Sequence, residues 1–496
     1  MSHNPEQPAS LSRRQMLSRI GLGIGALGMA SSTMGKMALG KSVRATQNKP
    51  NIIFIMSDDQ GYYDMSCYGN PNIATPNWDK MATEGVKFTS FYATMVCSPT
   101  RASLLTGCNH ERVGFSWIIK FWETWALNVQ EQTIPRMLKQ AGYVTGCVGK
   151  WHLGHGGEAV SGCKGGMPKN YGFDYYKGVP LGHYGHIEGK RPHWEQTESM
   201  SPDEVTATSI DANTTEGMKY LADLPMHDTE NAVDFMTRHK DVPFFLFLAH
   251  TAPHVYHWVP DKFKGTSNWG DYGDILQGLD WTTGEIMKAL KDLGIEDNTL
   301  LIYTSDNGSD REESNAPLVG GKWGISEGSY RVPFLARWPG RIPAGKACDE
   351  IVSVMDMLPT FASIAGATAY LPTKKIDGKD VAEVLFDPSI SSPRDELPYY
   401  KNKRLEAVRK GDFKCRFSRG PDPQDPSDKT PPAGDPLELY NVKTDPSESM
   451  DLIGDPQYAG TISELVEVRD KWARQLGDSL SKQSGSERRR AMGCKS

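Results

Sequence analysis

The chain is 496 residues long, with 23% charged residues and a formal net charge of −6. A single core rarely grows that large, so one large domain and a smaller one are expected. The mild acidity, with no long basic stripe before the tail, argues against nucleic acid as a partner. Eight cysteines without a CxxC pair argue against a zinc ribbon or a disulfide scaffold.

The first segment reads as a targeting signal. Ser12-Arg13-Arg14-Gln15-Met16-Leu17 sets paired arginines ahead of Ile20–Ala30, a Gly-rich apolar run too short to cross a bilayer. The pattern resembles a twin-arginine (Tat) export signal, with small-x-small cleavage options around Ala38-Leu39-Gly40. No cysteine follows the run, which argues against a lipoprotein anchor. Residues 1–45 are read as signal and linker. The implied partner is the Tat translocase, and the implied destination is the periplasm or the exterior, with no stable membrane span in the mature form.

Residues 50–400 read as the main domain. Asn51–Ser57 is a continuous apolar run, as expected of a parallel strand buried on both faces, and it ends in Asp58-Asp59. Thr75 can cap a helix with Pro76 at its first position and Gly85 to close it. A second helix over Thr133–Ala141 leads to the strand Tyr143–Val148, which ends in Gly149-Lys150-Trp151-His152. Pro243–Ala249 is a third buried strand, before Pro253-His254, and Ile275–Leu293 has helical period. Thr299–Thr304 is a fourth strand, ending in Asp306-Asn307-Gly308. Strands alternating with helices predict an α/β fold: a large, doubly wound, mostly parallel sheet with helices on both faces. Residues 401–478 read as a small antiparallel subdomain, with strands in Leu405–Phe417 and Pro436–Val442, a Pro/Asp-rich loop over Gly420–Asp435, and a helix over Gln457–Gln475. The polar, basic tail 479–496 is expected to be disordered.

Every polar cluster with chemical potential falls just past the carboxyl end of a strand, the rim where open α/β sheets bind ligands. Asp58, Asp59, Asp306 and Asn307 offer hard oxygen ligands from two strand ends, a set that selects calcium or magnesium over zinc; such pairs also cap turns. Cys97 stands just before a helix-capable stretch, Ala102–Gly107, where the dipole favours an anion or a charged nucleophile. Arg101, one turn along, can reach back to the same place. The other reading of Cys97 is a buried thiol packed as a small hydrophobe.

Cys97-Ser98-Pro99-Thr100-Arg101, with Ala102-Ser103-Leu104-Leu105-Thr106-Gly107 behind it, resembles the sulfatase signature. Gly142–His152 resembles the second signature of that family, and the likeness extends over Ser57–Tyr62, Tyr68-Gly69-Asn70, Arg331-Val332-Pro333-Phe334, Arg337-Trp338-Pro339-Gly340 and Leu439-Tyr440-Asn441. The resemblance implies the alkaline phosphatase superfamily fold and a sulfuric-ester hydrolase of arylsulfatase type, acting on a sulfate-ester substrate such as a sulfated carbohydrate. It implies that a maturation enzyme oxidises Cys97 to formylglycine, whose hydrate is the nucleophile; Tat export of a folded protein allows this step beforehand in the cytoplasm. It implies one Ca2+ at Asp58, Asp59, Asp306 and Asn307, also touching residue 97. Lys150 and Arg101 would face the sulfate oxygens, His152 the hydrate, and His254 and Lys322 the leaving group, with Asp306 taking the nucleophile's proton. His250 and His257 flank His254; the Pro-His pair at the family spacing selects His254. Two alternatives stay open: a phosphonate or phosphate monoester hydrolase of the same superfamily, and a catalytically silent binder of sulfated ligands with Cys97 unmodified. Met95, the aromatic stretch Phe115–Asn128 and His183-Tyr184-Gly185-His186 depart from the family pattern and bear on substrate identity.

Overall fold

The run NIIFIMSD folds as β1 (Asn51–Asp58), buried at every residue. The computed structural model describes residues 49–493 apart from 121, 124, 155–164, 182–189 and 421–428, so the signal segment and His183–His186 lie outside the described residues. The strands that follow are β2 (Val86–Tyr92), β3 (Trp125–Ala126), β4 (Val144–Gly149), β5 (Tyr175–Gly178), β6 (Lys190–Gln196) and β7 (Thr206–Asp211). After them come β8 (Phe244–Pro253), β9 (Thr299–Ser305), β10 (Arg331–Arg337), β11 (Lys346–Cys348) and β12 (Val352–Ser353). The large sheet runs β11-β2-β10-β9-β1-β8-β4-β5-β6-β7, with β12 also on β2. Its centre, β9-β1-β8-β4-β5, is parallel throughout, and antiparallel partners flank it.

Period two along β1 explains the two layers. Ile52, Phe54 and Met56 join a core with Leu104 and Leu105 of the Cys97–Thr106 helix and Met137 and Leu138 of the Ile134–Gln140 helix. Ile53 and Ile55 join the opposite core, with Trp78 and Met81, Phe235, Leu276 and Leu279. Alternate residues of one strand therefore need helices on both faces, which makes the fold doubly wound. β2, β5–β7 and β10 are not among the expected strands. Pro333 inside β10 weakens its strand signal, and Lys87 and Thr89 interrupt the apolar run of β2. Thr133 accepts a hydrogen bond from the Arg136 N–H as a helix cap, whereas the Thr75 hydroxyl accepts from the Ser66 N–H instead of capping its helix.

A second sheet, β13 (Glu396–Lys401), β14 (Arg404–Lys410), β15 (Phe413–Phe417) and β16 (Pro436–Asn441), is antiparallel throughout. The Ala459–Leu476 helix covers it with Leu465, Val468, Trp472 and Leu476. This sheet begins ahead of residue 401, and Pro50–Ser496 cluster as one unit, so position 400 does not separate two compact bodies.

The tail is not disordered over 479–493. Arg488 pairs with Glu111 at 2.9 Å, Arg489 with Glu131 at 2.9 Å, and Glu487 with Arg112 at 2.8 Å. Residues Met492–Gly493 also pair with β3. Its composition lacks the apolar surface that usually orders a chain, but its charges meet buried counter-charges that sit far away in sequence.

Glu327 joins the two sheets. Its carboxylate accepts from Tyr92 Oη at 2.6 Å, Tyr399 Oη at 2.9 Å and Lys414 Nζ at 3.1 Å. Burial alone would push Glu327 up, but Lys414, Arg409 and Arg331 hold it down at about 2. A depressed folded value means its stabilisation is present above the unfolded value of 4.5 and lost as pH falls towards 2. Glu327→Gln removes the carboxylate that faces Arg331 and Arg409 and leaves Lys414 with Glu448 alone, and should cost about 3 kcal/mol at pH 7. Urea titrations at pH 7, 4.5 and 3 should show the difference between wild type and variant shrinking with acid; a constant difference would remove the ion pairs from the account.

Candidate active site

Four strand ends and one helix start converge on a single buried cluster. β1 delivers Asp58 and Asp59, β4 delivers Lys150 and His152, β8 delivers His254, and β9 delivers Asp306 and Asn307. At the end of β4, Gly149 has φ +94°, and a Cβ there would lie 2.0 Å from the Ala249 carbonyl, so only glycine lets the chain turn into Lys150. Asp59, His152 and Trp323 hold positive φ without being glycine (67°, 59° and 74°). Such strain persists where the surroundings over-determine a residue, commonly at functional sites.

Cys97 is the first residue of its helix and 2% exposed, and the Val96 cap position supplies no side-chain partner. The uncapped N–H groups and the helix dipole therefore face the cluster. Burial pushes the Cys97 thiol up, against the pull of Lys150 and Lys322, so the unmodified sulfur is a neutral, enclosed group. Arg101 donates through Nη2 to Asp306 Oδ2 at 2.8 Å and through Nη1 to the Lys150 carbonyl at 2.7 Å. Lys150 Nζ donates to Asp58 Oδ2 at 2.6 Å, and Lys322 Nζ to Asp59 Oδ2 at 2.7 Å. Asn307 Nδ2 donates to Asp59 Oδ1 at 2.8 Å. Three carboxylates thus face three cations.

The carboxylates differ in character. Burial and the neighbouring Asp306 charge raise Asp58 to about 8, with Lys150 opposing. Burial would also raise Asp59, but Lys322 and His254 hold it well below the usual carboxylate range. Burial lowers His254 to about 4 and His152 well below its ordinary value. His152 Nε2 lies 2.9 Å from the Ile119 carbonyl, which only accepts, so Nε2 carries the proton. Its Nδ1 is then a buried lone pair with no hydrogen-bond partner among the described residues. His254 Nδ1 faces the Val255 carbonyl at 2.7 Å, and its Nε2 lies 3.5 Å from Asp59 Oδ2. His250 instead meets Thr282 and His257 packs on Tyr272, so the cluster includes His254 alone of the three.

Two further residues belong to the site that sequence reasoning did not single out. The Ile119 carbonyl, which fixes the His152 tautomer, comes from the aromatic stretch, and the Ile119 N–H donates to Ser98 Oγ at 3.3 Å. A backbone carbonyl leaves no sequence signal. Trp323 follows Lys322, is 38% exposed, donates its backbone N–H to Met95 and packs against Trp117 at a ring separation of 5.4 Å.

The sulfatase family model matches residues 50–367, and a model of the C-terminal region of aryl-sulfatase matches 392–495. The chain belongs to the sulfatase family. It is 35% identical to N-acetylgalactosamine-6-sulfatase of Canis lupus familiaris, over 77% of this chain and 74% of that one. It is 33% identical to arylsulfatase A of Homo sapiens, over 86% and 87%. Among solved structures, the PsFucS1 sulfatase from Pseudoalteromonas sp. superposes with a TM-score of 0.73 at 25% identity, covering 88% of this chain and 93% of that one. This sulfatase is accordingly a sulfuric-ester hydrolase, and its cluster is assembled from the two signature segments, the ends of β1, β8 and β9, and Lys322.

The all-oxygen set Asp58, Asp59, Asp306 and Asn307 suits a hard divalent cation. Asp58 Oδ1 and Asn307 Oδ1 are buried oxygens without a hydrogen-bond partner among the described residues. Ligand atoms of Asp58, Cys97 and Asp306 all lie within 4.8 Å of one another, as do those of Asp58, Asp59 and His254. With Asp58 ionised as a ligand, the three carboxylates cancel the three cations, and a divalent ion then leaves two positive charges in excess, which fits an oxyanion.

Proposed function

We propose that this sulfatase cleaves a sugar sulfate ester, using formylglycine at position 97 and one Ca2+ held by Asp58, Asp59, Asp306 and Asn307. The observation that carries the reading is the buried cluster of three carboxyl groups and three cations with orphaned oxygens, set against the uncapped start of the Cys97 helix. The ion would polarise the sulfate, and the hydrated aldehyde would supply the nucleophile towards sulfur. Because Cys97 is 2% exposed, the maturation enzyme must reach it before the chain folds, in keeping with a Tat route that exports a folded protein to the periplasm or exterior. Among the described residues no helix is long and apolar enough to cross a membrane.

The chain's own groups divide the work. Arg101, Lys150 and the helix start face the charge on the sulfate oxygens, preorganised in a water-poor site. Asp306, pinned by Arg101, takes the proton of the attacking hydroxyl. His254 gives a proton to the departing alcohol oxygen; a bound sulfate adds negative charge nearby and raises its depressed value towards the working range. Lys322 stabilises that same oxygen. His152, neutral with Nδ1 as its lone-pair nitrogen, draws the proton that releases sulfate at the end of the cycle. The exposed Trp323 indole beside Lys322 suits the apolar face of a sugar ring, in line with the name of the N-acetylgalactosamine-6-sulfatase relative.

Mass spectrometry of the peptide containing Cys97 tests the reading: an aldehyde supports it, an intact thiol in active enzyme refutes it. The acid role has its own test. His254→Ala should lower kcat on alkyl or sugar sulfates by roughly 10² to 10⁴, and far less on nitrophenyl sulfate, whose leaving group hardly needs a proton. Equal fractional losses on both substrates would leave His254 a binding residue only.

A further inference from the structure

We infer that the C-terminal tail builds a second anion site, sharing no residue with the cluster, that holds a sulfated stretch of a glycan chain. The tail, Lys403 of the β13–β14 turn, Gly114 and the end of the Ala459–Leu476 helix line an open cavity of about 720 Å³, within the range of ligand pockets. Its wall contains five cations, Lys403, Lys482, Arg488, Arg489 and Arg490, and a single acid, Asp478. None of the residues of the sulfate-ester cluster lines it.

The cavity is built, and its free charges are not used to build it. Arg488 and Arg489 bolt the tail down through Glu111 and Glu131. Gly114 has φ +78°, and a Cβ there would lie 2.6 Å from the Ala491 backbone nitrogen, so glycine permits the close approach of the tail. Ser479 donates its backbone N–H to the Lys403 carbonyl at 3.0 Å, tying the β13–β14 turn to the same wall. Asp478 spends its carboxylate inward, on Arg469, the Leu405 N–H and the Leu480 N–H. Lys403, Lys482 and Arg490 are exposed and form no ion pair among the described residues. In a chain of net charge −6, three unspent cations around one cavity make a local field for a polyanion.

The lining also selects the kind of anion. Beside the cations and Asp478, the lining is three glycines, two serines and Gln483, and Leu476 and Ala491 are its apolar members, Leu476 being buried. A lipid tail would find no apolar trough there, whereas a hydroxyl-rich, sulfated sugar chain finds donors for both its sulfates and its hydroxyls. The glycan identity of the occupant rests on the sugar-sulfate reading proposed above; the anion preference of the cavity does not.

The test compares the full-length mature enzyme with Lys403→Gln/Lys482→Gln/Arg490→Gln, none of which touches the cluster. Calorimetry would use a sulfated octasaccharide containing N-acetylgalactosamine, the same chain chemically desulfated, and sodium sulfate. Nitrophenyl sulfate turnover, expected to be equal in the two proteins, verifies folding. The sulfated octasaccharide should bind about tenfold more weakly to the triple variant, the sum of three exposed charge contacts, and the difference should vanish at high salt. Equal affinities, equal binding of the desulfated chain, or binding of sodium sulfate with none of the octasaccharide would each overturn the inference. A tenfold difference in binding, in an enzyme that desulfates no sugar at all, would keep the cavity and refute the substrate reading instead.

Discussion

Cys97→Ala should abolish turnover of every sulfate ester, by at least about 10⁴ in kcat, while leaving the urea midpoint close to wild type. The physical case rests on what surrounds position 97. Arg101, Lys150 and Lys322 are spent on Asp306, Asp58 and Asp59, and the histidines of the cluster are placed for proton transfer. None of these can replace a nucleophile at a helix start. Losing one sulfur from a 2% exposed position removes little apolar area, and alanine is the best helix former. Cys97→Ser should be equally inactive wherever the maturation system accepts only cysteine. Activity of Cys97→Ala within tenfold of wild type would sink the formylglycine mechanism.

Asp58→Ala and Asp306→Ala should each lose the bound ion and at least about 10³ in kcat, because the missing oxygen cannot be supplied from elsewhere in the rim. Asp306→Ala should also cost about 3–5 kcal/mol of stability, since it strands the buried Arg101 guanidinium. Elemental analysis should find one calcium per chain in wild type and none in either variant; zinc as the bound metal, or full activity after exhaustive chelation, would contradict the assignment. The ion's effect on stability should depend on pH. Asp58 rises from 3.8 to about 8 on folding, so across that window the ion-free folded protein keeps a proton that the unfolded chain has released. Raising the pH therefore destabilises the ion-free protein between those values. Calcium lifts that penalty by taking the carboxylate as a ligand. The gain in Tm on adding calcium should be larger at pH 8 than at pH 5, and a gain independent of pH would show that Asp58 is ionised without it.

Much of this was legible from sequence because it is carried by local pattern. The uninterrupted apolar run of β1, the alternation of strands with helices, and polar residues placed just past strand ends all report themselves within a few neighbours. Cys97, Arg101, Lys150, His152, Asp306 and Asn307 lie in short motifs whose spacing follows from a strand turning into a helix or loop. The C-terminal sheet except β13, and its helix, were legible in the same way, from alternation and period.

What only the tertiary structure decided depends on contacts between distant parts of the chain. The order of strands brings Asp58 beside Lys150 and Asp306 beside Arg101, pairs 92 and 205 positions apart. The tautomer of His152 is set by a backbone carbonyl at Ile119, which any side chain at that position would provide. Antiparallel β10 hides its strand character behind Pro333 and shows it only once β2 and β9 lie on either side. The tail reads as disordered because composition measures apolar content, yet it is held by ion pairs with Glu111, Arg112 and Glu131, more than 350 positions away. Period and spacing describe what a segment can bury; they do not name the buried charge waiting for it on another element.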